Sequence, residues 1–221
     1  MKLLAIETAT EACSAALLIN DSITARAEIA PQQHTRLILP MVDELLTEAG
    51  ITISNLDAIA FGQGPGAFTG VRIATGVVQG LAFAHNLPVI PVSSMAALAQ
   101  QFTEEYSNIA VAIDARMGEV YWGQYQLNDG GIMQLLAEEA VLSPNEVKAD
   151  SNQKWFGAGT GWGTYEKELS QQFNDNLIGF SSECFPLAKY TLQIAKTKLN
   201  RNEIYDASNA EPVYLRNKVV G

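Results

Sequence analysis

One order of elements is written twice along this chain, and it restricts the fold more than any single motif does: three extended segments, then helices and strands in alternation. In the first half, Leu3-Leu4-Ala5-Ile6 and residues 14–19 are apolar runs, Asn20-Asp21 is a turn pair, and residues 22–29 return as a polar-alternating strand. A helix follows, with apolar residues at Leu37/Ile38, Met41/Val42, Leu45/Leu46 and Ala49, closed by Gly50. Pro40 lies inside that pattern and should kink the helix or mark its true start. Residues 57–61 read as a buried strand and a glycine-rich turn opens a second helix over about 69–85. Residues 87–92 form a strand, and Ser94 caps a short helix through Phe102.

The second half repeats the order. Residues 110–113, 120–127 and 132–142 are extended, and a weak helix starts at Pro144. A strand at Trp155-Phe156, a helix over 162–172, a strand over 177–180 and a helix over 186–199 follow. Ala5-Ile6-Glu7 and Ala112-Ile113-Asp114 each end a first strand on an acid just before a hairpin. The doubled order predicts a duplicated α/β architecture of two mixed sheets with flanking helices. The polar stretch 104–107 divides it into lobes 1–107 and 108–221.

Composition removes several classes of function. At 48% hydrophobic and 17% charged residues, the chain has an ordinary globular balance and is not disordered. The most apolar stretch, 73–84, is interrupted by Thr75, Gly76, Gln79 and Gly80 and is too short for the ~20 residues of a membrane helix. Residues 1–7 carry too brief an apolar run for a secretory signal, and Cys13 and Cys184 form no C-x-x-C, so a reducing cytoplasm is expected. A net charge of −10 repels nucleic acid at long range, so any RNA contact is expected to be local or made by a partner.

Gly62-Gln63-Gly64-Pro65-Gly66-Ala67 fits G-x-G-x-x-A between a strand and a helix, where backbone N–H groups can hold a phosphate. Pro65 removes a donor, and no acid lies between Asp57 and Glu104 to hold a ribose, which favours a tight structural turn. Glu7 and Thr8 at the end of the first strand, with Gly64 and Gly66, and Gly159 and Gly161 in the second half, are the candidate remnants of phosphate loops. Turn formation is the competing reading of each. His34 and His85 have no His or Cys one helical turn away, so no zinc pair is expected; Ser93 and Ser94 sit in no nucleophile elbow, and no catalytic set emerges. The helix over 69–85 is unusual in carrying Gly70, Gly76 and Gly80, each costing about 1 kcal/mol against Ala. Either the packing is internal, or the helix pair 37–49 and 69–85 meets another chain through Leu37, Met41, Leu45, Arg72, Gly76, Gln79, Gly80 and Phe83.

Five stretches carry a resemblance. They are Ala5-Ile6-Glu7-Thr8-Ala9-Thr10, His34-Thr35-Arg36-Leu37, Gly64-Pro65-Gly66-Ala67-Phe68-Thr69-Gly70-Val71-Arg72-Ile73, Ile113-Asp114-Ala115-Arg116-Met117-Gly118-Glu119-Val120-Tyr121 and Pro212-Val213-Tyr214-Leu215-Arg216. In order and spacing they resemble the bacterial TsaB (YeaZ) family across the whole chain. The resemblance implies the duplicated ASKHA fold of actin, sugar kinases and heat-shock chaperones. It also implies a role beside TsaD and the ATPase TsaE in making threonylcarbamoyladenosine next to the anticodon of tRNAs that read codons starting with A. TsaD carries an H-x-x-x-H metal pair after the corresponding strand; those positions here are Ser94 and Leu98, and neither suits a transition metal.

The expectation is therefore a non-catalytic partner of TsaD that self-associates as a homodimer, binds no cofactor tightly in a pathway that uses ATP, and reaches tRNA mainly through partners. The alternatives are a kinase of this fold acting alone through Glu7, Thr8 and the two glycine-rich turns, and a peptidase. Lys196, Lys198, Arg201, Arg216 and Lys218 form the one locally basic region, read as a solvated face.

Overall fold

A computed structural model describes residues 1–150 and 152–216. Lys218 lies outside the described residues. The chain divides into two compact units: Met1–Ala97 with Pro186–Val213, and Leu98–Phe185 with the described residues from Tyr214 onward.

The first unit is built on β1 (Lys2–Glu7), β2 (Ala12–Ile19), β3 (Ser22–Ile29), α1 (His34–Glu48), β4 (Ala58–Gly62), α2 (Phe68–His85) and β5 (Val89–Val92), after which α3 (Ser94–Ala99) begins. Its sheet has the order β3-β2-β1-β4-β5; the first three strands form an antiparallel meander, and β4 and β5 run parallel to β1. Alternation sorts the side chains. Leu4, Ile6, Ala15, Leu17, Ile59 and Phe61 share one face and bury it against Ile38, Val42 and Leu45 of α1 and Ala74 and Val78 of α2. Leu3, Ala5, Ala16, Leu18, Ala58 and Ala60 on the opposite face are equally buried, and many of them are small. Because both faces are covered, β1 and β2 read as continuous apolar runs rather than alternating ones.

The second unit comprises β6 (Asn108–Arg116), β7 (Glu119–Leu127), β8 (Met133–Leu135), β9 (Ala140–Leu142), β10 (Trp155–Ala158), α4 (Thr160–Thr164), α5 (Glu166–Phe173) and β11 (Leu177–Ser181). Its sheet order is β11-β10-β6-β7-β8, with β9 also on β7. With β9 set aside as an extra strand on β7, the second sheet read from β8 has the order of the first, an antiparallel meander of three strands followed by two strands parallel to the first of them, which is the duplication expected from the element order. Trp155 and Trp162 are fully buried in its core with Leu169 and Phe173, and the Trp162 indole donates to Ala110 O at 2.9 Å.

Several sequence expectations are corrected. The closing helix α6 (Ala188–Asn200), assigned to lobe 108–221, packs on β1, β2, β4 and β5, and the Ala188 N–H donates to Ser14 Oγ at 2.9 Å. It supplies the cover for the small-residue face of the first sheet, so the division is not the contiguous 1–107/108–221. The extended segment 132–142 is two strands, β8 beside residues 125–127 and β9 beside residues 120–122. Its alternation fails at Leu135-Leu136 and two acids follow. The stretch from Pro144 is a turn only; just Pro144 and Val147 are buried there, too little for a helical stripe. The helix over 162–172 is broken at Tyr165 into α4 and α5. Pro40 does not start α1, which begins at His34; the Arg36 carbonyl that Pro40 deprives of its donor lies on the exposed side, where water can serve.

The inner and outer faces of α1 should separate in stability. Leu45→Ala is expected to cost about 2–5 kcal/mol and Leu39→Ala less than ~0.5 kcal/mol in denaturant unfolding of the whole chain.

Candidate functional site

The end of β1 and the turn from β4 into α2 meet backbone to backbone. A Cβ on Gly62 would overlap the Glu7 carboxylate, one on Gly66 would overlap Ala9 O, and one on Gly70 would overlap Thr8 O. The Thr8 hydroxyl donates to Gly70 O at 2.7 Å, and the Ala67 N–H donates to Ala9 O at 2.7 Å. Gly64 takes a left-handed φ of +96°, with its carbonyl accepting the Ser94 N–H at 2.9 Å. The fold thus brings Glu7, Thr8, Gly64 and Gly66 together, with these groups joined to neighbours in the chain.

Glu7 itself is fully buried. Its carboxylate accepts the Ala9 N–H at 2.8 Å and the Ser94 hydroxyl at 2.9 Å. Burial dominates and lifts the carboxyl to about 7, against the pull of these donors. Ser94 was expected to cap α3; the cap is Ser93, whose Oγ accepts the Met95 and Ala96 N–H groups at 3.1 and 3.2 Å. Sequence reasoning missed the Glu7–Ser94 bond, because 87 residues separate the two and nothing local signals it.

The second unit repeats the arrangement. Gly159, at φ +111°, and Gly161 press on Ala112 O in the middle of β6, and the Asp114 N–H donates to Thr160 Oγ1 at 3.0 Å. The Gly159 N–H goes to Ser181 O at 2.9 Å and lies 3.2 Å from Cys184 Sγ. Burial pushes the Cys184 thiol up, and it pushes the Cys13 thiol up to about 11; both thiols are free.

The partner-surface candidates separate into two groups. Met41 and Leu45 point into their own unit's core, and Leu37 packs against it; the doubled apolar stripe of α1 is its inner face. The outward apolar residue of α1 is Leu39, which was not nominated. On α2, Gln79 Nε2 donates to Ala210 O at 2.8 Å and is used internally. Arg72, Gly76, Gly80 and Phe83 do share the exposed side. The Arg72 guanidinium lies 3.3 Å from the Phe68 ring centroid, and Phe83 is 82% exposed. A Cβ at Gly76 or Gly80 would meet nothing within 4 Å. His34 opens α1 and is buried; His85 stands in the last turn of α2.

The basic region does not form one patch. Lys196 pairs with Asp21 at 2.8 Å, Lys198 donates to Pro91 O at 2.8 Å, and Arg201 lies 3.9 Å from Glu203. Arg216 belongs to the second unit and pairs with Glu119. Among the described residues, no group of three or more His, Cys, Asp or Glu is placed to hold a metal ion. Ser94 and Leu98 are both buried in α3.

The family model for TsaD, tRNA N6-adenosine threonylcarbamoyltransferase, matches residues 19–209. A TsaB from Escherichia coli, a tRNA threonylcarbamoyladenosine biosynthesis protein, is 41% identical, over 99% of this chain and 96% of its own. The protein of the same description from Haemophilus influenzae is 42% identical over 99% and 95%. The solved YeaZ from Pseudomonas aeruginosa superposes with a TM-score of 0.90 at 49% identity, covering 97% of this chain and 99% of its own. The chain belongs to the TsaB (YeaZ) family. Its two like-ordered sheets are the duplicated ASKHA fold, and the TsaB motifs fall on identifiable structure. G-P-G-A-F-T-G is the turn locked onto the end of β1, and D-A-R-M-G-E-V-Y is the β6–β7 hairpin.

Glu7 gives this TsaB-family core a pH dependence whose sign is set. Its folded-state value lies above the usual 4.5, so protonation stabilises the fold. Its contribution is fully present below about 4.5 and is lost as pH rises through about 7. Unfolding of the wild-type chain should weaken by roughly 3 kcal/mol over that window relative to Glu7→Gln, which keeps the shape without the charge. Parallel stability profiles of the two proteins from pH 4 to 8 would refute the assignment.

Proposed function

We propose that this chain acts in the biosynthesis of threonylcarbamoyladenosine in tRNA as the non-catalytic partner of TsaD. In this reading TsaD transfers the threonylcarbamoyl group from its adenylate to the adenosine beside the anticodon, and the chain docks on TsaD through the exposed side of α2. One observation carries the proposal. Gly76 and Gly80 lie inside an 18-residue helix, exposed, with nothing among the described residues within 4 Å of their missing side chains. Each costs about 1 kcal/mol against Ala in a helix interior. No contact among the described residues returns that cost, whereas a second helix approaching closely would. Phe83, Phe68 with Arg72 stacked on it, and Leu39 on the neighbouring helix add apolar area for such a partner.

The same face serves a second copy of the chain when TsaD is absent, giving a two-fold homodimer that TsaD displaces. The partner acts by binding one conformation of TsaD better than another, which is the means by which a subunit without chemistry raises a rate. TsaE, an ATPase, joins this pair; ATP is consumed by the pathway and not held tightly by this chain. With a net charge of −10, the chain leaves the grip on tRNA mainly to its partners. The reading of the chain as a kinase acting alone needs Glu7 and Thr8 open to a hydrated metal or a phosphate. Both are fully buried and hydrogen-bonded within the chain, which supports the partner role instead.

Gly76→Leu and Gly80→Leu test the surface. Each should fold with equal or slightly higher stability, by up to about 1 kcal/mol. Each should also lose both self-association and pairing with TsaD in sedimentation, and with them the stimulation of tRNA modification in a reconstituted reaction. Undiminished pairing in both variants would overturn the surface. Turnover of Mg-ATP by the chain alone would overturn the partner role.

A further inference from the structure

The turn between β6 and β7 is held from within, where the Asp114 carboxylate accepts the Arg116 N–H at 2.8 Å and pairs with the Arg116 guanidinium at 3.0 Å, and also from outside itself. Asp114 pairs with Val120 and Arg116 with Glu119, so Ala115 is an extra residue on one strand. Three consecutive residues then take left-handed backbone: Arg116 at φ +63°, Met117 at +58° and Gly118 at +79°. Met117-Gly118 suits a two-residue hairpin turn, but only Gly118 adopts that conformation without a Cβ penalty. Met117 is 72% exposed, so its burial does not compensate.

The compensation from outside the turn comes from Arg216, about 100 residues further along the chain. Its Nη1 donates to Ala115 O at 3.0 Å and its Nη2 to Arg116 O at 3.3 Å. The same Nη2 pairs with the Glu119 carboxylate across the turn, and Nη1 lies 3.8 Å from Met117 Sδ. One planar fork thus grips both carbonyls of the bulge and the first residue of the returning strand. A lysine ammonium, a point charge, holds the carboxylate but not two diverging carbonyls at once.

We propose that Arg216 is the positioning residue of the β6–β7 turn, a C-terminal clamp that keeps Arg116 and Met117 left-handed and holds the Met117 tip outward. The turn has two states: clamped and left-handed, or released and relaxed. Whatever draws Arg216 away selects the second. This inference is independent of how the chain docks on TsaD.

The test is amide hydrogen exchange and φ-reporting scalar couplings, measured by NMR on the full chain. In Arg216→Ala, exchange at Arg116 and Glu119 should quicken roughly tenfold. The couplings of Arg116 and Met117 should leave left-handed values, while Ala110 and Ala112 in the middle of β6 stay protected. Arg216→Lys should behave like Arg216→Ala. Adding Met117→Gly to Arg216→Ala should bring exchange back to within about twofold of wild type, because glycine needs no clamp at that φ. Unchanged exchange and couplings in Arg216→Ala, or full retention of both in Arg216→Lys, would overturn the proposal. Failure of Met117→Gly to restore protection would also overturn it.

Discussion

The contact on which the first unit depends is that of the end of β1 with the turn leaving β4. Two parallel strands carry their successor segments into one another so closely that Gly62, Gly66 and Gly70 cannot bear a side chain. Thr8 and Ala67 lock the contact with hydrogen bonds whose partners are backbone carbonyls. This seats the first turn of α2 and so decides which side of that helix meets the sheet and which is left outside. The second unit uses the same device at Gly159, Gly161 and Asp114. A close backbone contact has no alternative register, so the first unit is fixed where β1 and β4 end and the second where the turn after β10 meets the middle of β6.

The device also bears on chemistry. A strand end bearing an acid and a hydroxyl beside a glycine-rich turn is, in an open state, a place for a phosphate or a hydrated metal. Here Glu7 is turned inward to Ala9 and Ser94, Thr8 is spent on Gly70, and the carboxyl is lifted by burial instead of being used at a surface. What the chain offers outward is a helix face thinned by Gly76 and Gly80 and edged with aromatic side chains. That closing of the strand end, and the thinning of a helix face that gives backbone access, are the physical content of the proposed partner role.

How much was legible in advance follows from what is local. The strands, the main helices and the doubled order are carried by periodicity within single segments. The turn residue Asn20 marks itself, because few side chains tolerate its left-handed φ. The segments that misled are those in which local preference is weak or the pattern breaks: residues 132–142, the stretch after Pro144 and the helix divided at Tyr165. On α1 the doubled apolar stripe was real, but it is the inner face, so Met41 and Leu45 are core and Leu39 is the outward residue.

Taken by itself, the sequence determined the duplicated α/β order, the absence of bulk at Gly76 and Gly80, the acid that closes β1 and the family motifs. Each of these is a property of residue type at a given spacing. Only the tertiary structure decided that α6 covers the first sheet, that Ser94 answers Glu7, that Gln79 is tied to Ala210 and that Arg216 grips the β6–β7 turn. Those pairings join residues far apart in the chain, and a single sequence holds no record of which distant groups the packing of two sheets will bring within bonding distance.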